Sequence, residues 1–306
     1  MKAQSTSAVV MVRPCEFFPN PETALDNAFQ SEAGRDFSAT VREDAQVEFD
    51  LAVQTLTDAG VTVHVFADTP SPIKPDAVFP NNWFSTHEDG RVVLYPMFNP
   101  SRRPERRREL IDRLRERYRI TEIIDYTVFE ERNLYLEGTG SLVLDHLDRV
   151  AYASLSKRTD RKPLEKFCTD FGFEPLTFES TGADGRLIYH TNVMMCIGTD
   201  FALVGLEMIR EPADRIKVRN KLEATGRTVI ELSREQVENF AGNALELHSE
   251  TERLLILSAR AAKYFTSAQV ATLQTFVRLL PLSLPTIELA GGSARCMLAT
   301  IHLPIR

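Results

Sequence analysis

One order of elements recurs along the chain: a β-hairpin, then a helix, then a further strand. Alternating apolar residues flank turn signals such as Glu88-Asp89-Gly90 and Gly198-Thr199-Asp200, which is typical of hairpins. Glycines such as Gly172 and Gly226 end the amphipathic stretches that follow. Four complete hairpin-helix-strand units are predicted in this way, with helices near residues 103–118, 161–171, 212–224 and 266–280.

The two ends of the chain supply a fifth unit. The apolar strand predicted at 296–303 lacks a downstream partner, and the strand predicted at 7–13 lacks an upstream one. A helix predicted at 40–59 then follows the N-terminal strand. Pairing of the two ends would close a ring without open sheet edges. We therefore predict an α/β fold in which a single domain, residues 1–306, forms a pseudo-fivefold α/β propeller.

Composition and charge exclude several classes of protein. Hydrophobic residues make up 43% and charged residues 26% of the chain, which is typical of a globular protein. A net charge of −7 disfavours nucleic acid as a partner, and the basic run 102–108 is interpreted as a solvated helix face because acidic residues interleave with it. The sequence shows neither a membrane-length apolar run nor a secretory signal, so we expect a cytoplasmic protein that binds no membrane.

The four cysteines are widely spaced and form no CxxC pair, so we expect reduced thiols rather than disulfides or a zinc site. One of them, Cys296, follows the Gly291-Gly292 turn, where the backbone can bend sharply and a ligand can approach closely. A cysteine at such a turn is a candidate nucleophile. Taken alone, a lone cysteine is more often a small buried hydrophobic residue.

Polar residues occur at equivalent points of successive units, at or just before the first hairpin strand. A ring of five units would bring these points to one axis. The residues are Asn81, Asn82, Glu137, His190, Asn243 and Cys296. Each has an ordinary structural explanation, as a core histidine, a turn carboxylate or a capping asparagine. Together, a thiol, an imidazole and a carboxylate form a set that performs nucleophilic catalysis with proton transfer.

Four short segments of the chain resemble those of the pentein, or amidinotransferase-fold, superfamily of guanidine-modifying enzymes. This superfamily includes arginine deiminases, dimethylarginine hydrolases, amidinotransferases and succinylarginine dihydrolase. The segments are Lys74-Pro-Asp-Ala-Val-Phe79, Glu137-Gly-Thr-Gly140, His190-Thr-Asn192 and the loop from Gly291 to Cys296. The resemblance covers essentially the whole chain and implies that Cys296 is the nucleophile, His190 the general acid and base, and Glu137 its carboxylate partner.

Departures from this resemblance point to the substrate. Arginine deiminases carry aspartates where this chain has Asn82 and Asn192. A guanidinium requires anionic acceptors, whereas a neutral ureido group offers both a carbonyl acceptor and N–H donors, which an amide matches. The chain is most similar to the bacterial citrulline utilization hydrolases (CtlX type). We therefore expect conversion of citrulline to ornithine, carbon dioxide and ammonia, with Asn82, Asn192, Phe79, Asn243 and Asp76 binding the substrate.

Several alternatives remain open. The enzyme could act on arginine, dimethylarginine or succinylarginine, or transfer an amidino group, and a non-catalytic pentein binding module is a second class. No metal or organic cofactor is expected, because the chemistry needs none and the sequence shows no clustered ligands. The expected partner is a small amino-acid substrate, and the oligomeric state is not predicted. His87 either lines the pocket or faces solvent, and we expect the second. The arginine that binds the substrate carboxylate is one of Arg13, Arg103, Arg186 and Arg295.

Overall fold

The computed structural model of the protein describes residues 4–30 and 39–306, and the strands in these ranges form five three-stranded sheets. The strands are β1 (Ala8–Arg13), β2 (Thr62–Ala67), β3 (Phe84–Thr86), β4 (Arg91–Leu94), β5 (Glu122–Asp125), β6 (Val143–Asp145), β7 (Val150–Ser154), β8 (Glu174–Phe178), β9 (Met195–Ile197), β10 (Phe201–Val204), β11 (Thr228–Glu231), β12 (Leu245–His248), β13 (Arg253–Ser258), β14 (Arg278–Leu282) and β15 (Ala299–Thr300). The helices are α1 (Ala39–Asp58), α2 (Arg108–Leu114), α3 (Gly138–Ser141), α4 (Arg161–Phe171), α5 (Pro212–Ala224), α6 (Arg234–Glu238), α7 (Ala259–Tyr264) and α8 (Ser267–Gln274).

All five sheets have the same internal order. Two strands pair antiparallel, and the second of them pairs parallel with a third strand that follows a helix. In the sheet made from the chain ends, Val9 of β1 lies opposite Thr300 of β15, and β1 runs parallel to β2 along its whole length. The predicted pairing of the two termini is therefore present. The arrangement of the five units as a closed propeller stays a prediction.

The helices between parallel strands pack on the sheets through one apolar face. Helix α4 buries Leu164, Phe167 and Phe171, whose spacing of three and four residues places them on one side of the helix. It ends at Gly172, which adopts the left-handed conformation (φ +67°) that glycine adopts most easily. The helices predicted at 161–171 and 212–224 match α4 and α5 in their bounds.

Short helical turns replace the first part of two predicted strands. The first strand of the hairpin around Glu88-Asp89-Gly90 is predicted to begin at Val78, but the segment forms a 3₁₀ turn at Pro80–Asn82, because proline cannot donate to a sheet and favours the first turn of a helix. The segment from Cys296 lies in a 3₁₀ turn at Ala294–Met297, and only the two residues of β15 are extended and paired. Similar turns occur at α3 and at Thr191–Val193. The residues that begin four of the hairpins are thus on turns.

Two predictions about exposure are wrong. The basic run is no solvated helix face: Arg102 and Glu105 are buried in a 3₁₀ segment, Pro100–Glu105, because the two side chains pair with each other and prolines interrupt a longer helix. His87 does not face solvent either. Its ring is buried, contacts Ser85 Oγ at 2.9 Å and packs on the ring of Phe171, and it lies outside the candidate site described below. In residues 4–30 and 39–306 the structure has no helix whose length and apolar character suit a membrane span.

Candidate active site

Four turns at the starts of neighbouring hairpins meet at one place. Helix α3 packs directly on the turn at Pro80–Asn82, with Thr139 Oγ1 donating a hydrogen bond to the Asn81 carbonyl oxygen at 3.3 Å. Gly138 permits this approach: its φ is +47°, and a Cβ atom there would lie 2.4 Å from the Asn81 carbonyl oxygen. The close packing brings the residue before α3, Glu137, next to the neighbouring turn.

His190 and Glu137 form a buried pair. His190 Nε2 lies 2.8 Å from Glu137 Oε2, and both side chains are almost completely inaccessible to solvent. The other carboxylate oxygen, Oε1, accepts a hydrogen bond from the Phe98 backbone N–H at 2.9 Å. Arg158 Nη1 lies 3.6 Å from Oε2. The carboxylate therefore has fixed partners and fixes the orientation of the imidazole ring.

Electrostatics keep this pair as a carboxylate and a neutral imidazole near pH 7. Burial alone would disfavour the charged carboxylate, but Arg158, the His190 ring and Arg102 outweigh burial and lower the pKa of Glu137 to about 2. Burial lowers the pKa of His190 below its ordinary value of 6.5, and Glu137 offsets this only in part. The nitrogen Nδ1 is the one left for a substrate, since Nε2 faces the carboxylate.

The thiol of Cys296 is buried between two asparagine amides. Asn243 Nδ2 lies 3.2 Å and Asn192 Nδ2 lies 3.5 Å from Cys296 Sγ. The orientation of the Asn243 amide is fixed, because its Oδ1 accepts a hydrogen bond from the Arg295 backbone N–H at 3.1 Å. Both amides thus direct N–H groups at the sulfur and hold it in place beside the cavity.

A small cavity of about 20 Å³ lies between the thiol and the imidazole, which is room for about one water molecule. The side chains and backbone that line it are Thr23, Asn27, Asp76, Phe79, Asn82, Arg102, Arg158, Tyr189, His190, Ala290, Gly292 and Cys296. A Cβ atom on Gly292 would lie 2.7 Å from the Phe79 ring. Glycine at this position therefore allows the Phe79 ring to form one wall of the cavity.

The structure brings together all eight residues that the sequence predicts for the site. Phe79, Asp76 and Asn82 line the cavity with His190 and Cys296. Asn192 and Asn243 contact the thiol, and Glu137 contacts the imidazole at Nε2.

The arginines in the cavity wall are Arg102 and Arg158, which sequence reasoning missed. None of the four arginines proposed for the substrate carboxylate lines this cavity. Arg13, Arg103 and Arg186 pair with carboxylates elsewhere, and Arg295 lines a different cavity. The prolines on either side of Arg102, Pro100 and Pro104, were a signal that this segment is not a regular exposed helix. The sequence around Arg158 carries no comparable signal.

Both cavity arginines are held by bidentate ion pairs. Arg158 donates to both carboxylate oxygens of Asp26, at 2.7 and 2.8 Å. Arg102 donates to both carboxylate oxygens of Glu105, each at 2.9 Å. Asp76, also in the wall, accepts a hydrogen bond from Asn20 Nδ2 at 2.7 Å, and burial raises its pKa despite the nearby Arg102. The cavity is therefore polar, and the charged groups in its wall are held in place by ion pairs and hydrogen bonds.

No metal site accompanies these groups: within residues 4–30 and 39–306, the structure contains no cluster of three or more His, Cys, Asp or Glu side chains that could hold a metal ion.

Comparison with known proteins identifies the family. A family model described as N,N dimethylarginine dimethylhydrolase, eukaryotic, matches residues 13–303. The chain belongs to this family of pentein-fold hydrolases. No protein with a curated description matches this chain.

Solved structures share the fold of this family member at low sequence identity. Unliganded AgrE is 19% identical with a TM-score of 0.76, and the match covers 98% of this chain but only 40% of AgrE. A second structure is the N-terminal domain of ArgZ, an arginine dihydrolase from the ornithine-ammonia cycle in Cyanobacteria, solved as a Cys-to-Ser variant bound to substrate. It is 16% identical with a TM-score of 0.74, and the match covers 97% of this chain and 99% of that domain. A dimethylarginine dimethylaminohydrolase adduct with S-methyl-L-thiocitrulline is 14% identical with a TM-score of 0.64, covering 98% and 100%.

Proposed function

We propose that this family member hydrolyses the ureido group of citrulline, giving ornithine, carbon dioxide and ammonia. The proposal rests on two buried amides beside the thiol and the imidazole, each of which has one polar atom without a hydrogen-bond partner in the part of the chain that the structure describes. Asn82 Nδ2 and Asn192 Oδ1 are buried and have no hydrogen-bond partner among the described residues. One is a donor and the other is an acceptor.

A ureido group satisfies this pair, because its carbonyl oxygen accepts and its N–H groups donate. A guanidinium has donors only, so the Asn82 N–H₂ group would face another donor and stay unpaired. Leaving a buried donor unpaired costs about 1–3 kcal/mol, and the substrate charge would lack an anionic partner at either asparagine. The two amides therefore favour citrulline over arginine.

Cys296, His190 and Glu137 take the catalytic roles. The Cys296 thiol passes its proton to His190 and attacks the ureido carbon. His190 then donates that proton to the departing δ-nitrogen, releasing ornithine and leaving a carbamoyl group on the sulfur. In the second half, His190 accepts a proton from water, which attacks the carbamoyl carbon and regenerates the thiol. The released carbamate decomposes to carbon dioxide and ammonia, so one water is consumed in total.

The charged walls of the cavity suit the amino-acid end of the substrate. Arg102 and Arg158 are the cations in the cavity wall and can bind an α-carboxylate, while Asp76 can bind an α-ammonium group. Citrulline is larger than the present cavity, so substrate entry requires the surrounding residues to move. We further propose that residues 1–306 act as one catalytic domain. We also propose a cytoplasmic location, which the four free cysteines support because disulfides are rare in the cytoplasm.

Arginine is the second candidate substrate. Its cation could be balanced by the buried carboxylates of Asp76 and Glu137, which lie close to the cavity. The structural similarity to ArgZ, described as an arginine dihydrolase, is compatible with this alternative. It would require the Asn82 amide to turn its oxygen towards the substrate.

Separate incubations with citrulline, arginine and dimethylarginine test the proposal. Citrulline, ornithine and ammonia are measured, with Cys296→Ser as the blank. We expect ornithine from citrulline, none from Cys296→Ser, and at least about tenfold lower kcat/KM for arginine, the factor that corresponds to about 1.4 kcal/mol. Citrulline or ornithine formed from arginine or dimethylarginine at equal or higher efficiency would reject citrulline as the preferred substrate.

A further inference from the structure

We propose that Glu105 is a positioning residue: through Arg102 it fixes which atom of the Asn82 amide faces the substrate, and so sets the preference for a ureido group over a guanidinium. This inference rests on the proposed function and adds to it a specificity determinant outside the cavity wall.

Three buried side chains form a continuous chain of hydrogen bonds. Arg102 uses Nε and Nη2 to hold the two oxygens of Glu105, each at 2.9 Å. This leaves Nη1, which donates to Asn82 Oδ1 at 2.9 Å. The side chains of Arg102 and Glu105 are 3% and 1% exposed, so water does not compete for these bonds.

The chemistry of arginine decides the orientation of the amide. A guanidinium has only donors, so the atom of Asn82 that it contacts has to be the oxygen. The N–H₂ group then points away from Arg102 and is left without a partner among the described residues. It points towards the reacting groups: a Cβ atom on Gly140 would lie 2.4 Å from Asn82 Nδ2 and 2.6 Å from His190 Nδ1. The donor and the catalytic imidazole therefore face the same small space.

Glu105 acts on the substrate only through Arg102 and Asn82. It does not line the cavity, whereas Arg102 and Asn82 do. Without Glu105, the remaining carboxylates near Arg102 are Asp76 at 3.7 Å and Glu137 at 3.9 Å, neither in direct hydrogen-bond contact. Arg102 would then be free to turn towards them, and the Asn82 amide would be free to flip. A flipped amide presents an acceptor, which a guanidinium can use and a ureido oxygen cannot.

The ionisation of Glu105 gives the arrangement a characteristic pH dependence. Burial raises the pKa of Glu105 to about 7, although Arg102 opposes this, and Asp76 and Glu137 act with burial. Protonation as the pH falls below about 7 removes the charge that holds Arg102. The ratio of citrulline to arginine efficiency should therefore fall with decreasing pH. Titrations that affect both substrates equally, such as that of His190, cancel in this ratio.

The decisive variant is Glu105→Gln, compared with Glu109→Gln. Glu109 is exposed and pairs with Arg107 in the same part of the chain, so its variant controls for loss of one carboxylate. The kcat/KM values for citrulline and arginine are measured from pH 5.5 to 8 (roughly the range that brackets the Glu105 pKa). In Glu105→Gln we expect the citrulline-to-arginine ratio to fall about tenfold at pH 8 and to lose its pH dependence, whereas Glu109→Gln should match the wild type within about twofold.

A second variant covers the case in which Glu105→Gln fails to fold. Asn82→Asp has the same shape and places an acceptor towards the substrate while keeping the contact with Arg102. We expect it to shift the ratio towards arginine by about tenfold or more. A folded Glu105→Gln with the wild-type ratio and pH profile overturns the proposal, as does an Asn82→Asp that keeps the wild-type preference. Preference for arginine in the wild type itself would instead show that the proposed function has failed.

Discussion

Among single residues, the His190–Glu137 pair is central to the proposed catalysis. The carboxylate stabilises the imidazolium that forms when the thiol gives up its proton, and it fixes the ring so that Nδ1 faces the substrate. Replacing Glu137 by glutamine keeps the size but removes the charge. We expect kcat to fall by about 10²–10⁴-fold in Glu137→Gln. Steady-state kinetics check this, with the exposed Glu179→Gln as the control.

The same pair predicts the direction of the pH dependence. The pKa of His190 is lowered by burial, so the neutral base required for attack persists below pH 6.5 and is lost as the pH falls through this lowered value. Glu137 raises the pKa of His190, so its removal should move the acidic limb of kcat/KM to still lower pH. An upward shift of the acidic limb in Glu137→Gln would contradict this assignment.

At the scale of elements, the site depends on how closely α3 approaches its neighbours. Gly140 lies in α3 beneath both the Asn82 amide and the His190 ring. Its backbone is not left-handed, so alanine is penalised here by contact alone: the new Cβ would lie 2.6 Å from His190 Nδ1. We expect Gly140→Ala to lose more than about 100-fold in kcat/KM, because displacement of about 1 Å at the reacting groups has effects of this size.

Gly182→Ala is the control for that experiment. Gly182 also lacks a positive φ, and a Cβ atom added there would lie 3.2 Å from its nearest neighbour, the side-chain oxygen of Asp184, away from the site. Its activity should stay within about twofold of wild type, since surface substitutions are usually mild. Equal losses in both variants would indicate a general effect on folding rather than a specific contact with His190.

The elements also show where sequence reasoning works. Hairpin turns and glycine-terminated helices leave local signals, so α4 and α5 could be predicted with their bounds. The single helical turns at Pro80–Asn82 and Ala294–Met297 are too short to produce a periodicity, and their apolar neighbours resemble strands. Asn82, Glu137, His190, Asn243 and Cys296 could be predicted because each lies at the same point of its unit. The resemblance to a known family supplied the other predicted site residues, Asp76, Phe79 and Asn192.

At the scale of the whole molecule, buried ion pairs join one unit to the next. Arg227, before β11, donates to both oxygens of Asp145 at the end of β6, at 2.6 and 2.9 Å, and both side chains are fully buried. Arg227→Met leaves a buried carboxylate without its partner. We expect a loss of about 3–5 kcal/mol in the free energy of unfolding, measured by urea denaturation.

Arg278→Met is the matched control, because Arg278 forms an exposed pair with Glu252. That change should cost about 1 kcal/mol or less. Similar costs for the two variants would mean that the contact between these units contributes little to stability.

Long-range partners also mark the limit of prediction from sequence at this scale. Arg158 pairs with Asp26, 132 positions away, and Arg102 lies in a basic run that resembles a solvated surface. The prolines beside Arg102 argue against a regular helix but do not show that the arginine is buried, since the burial of an arginine depends on a carboxylate supplied by the fold. The catalytic residues were predictable from chemistry, whereas the residues that orient them required the structure.

The most direct test of the central claim is mass spectrometry of the Cys296 peptide after rapid quenching of the enzyme with citrulline or with arginine. The account predicts a carbamoyl group on Cys296 with citrulline, formed at a rate sufficient for turnover, and little modification with arginine. An amidino group from arginine would show that the asparagines do not exclude a guanidinium. Steady production of ornithine by Cys296→Ser would contradict the nucleophile itself.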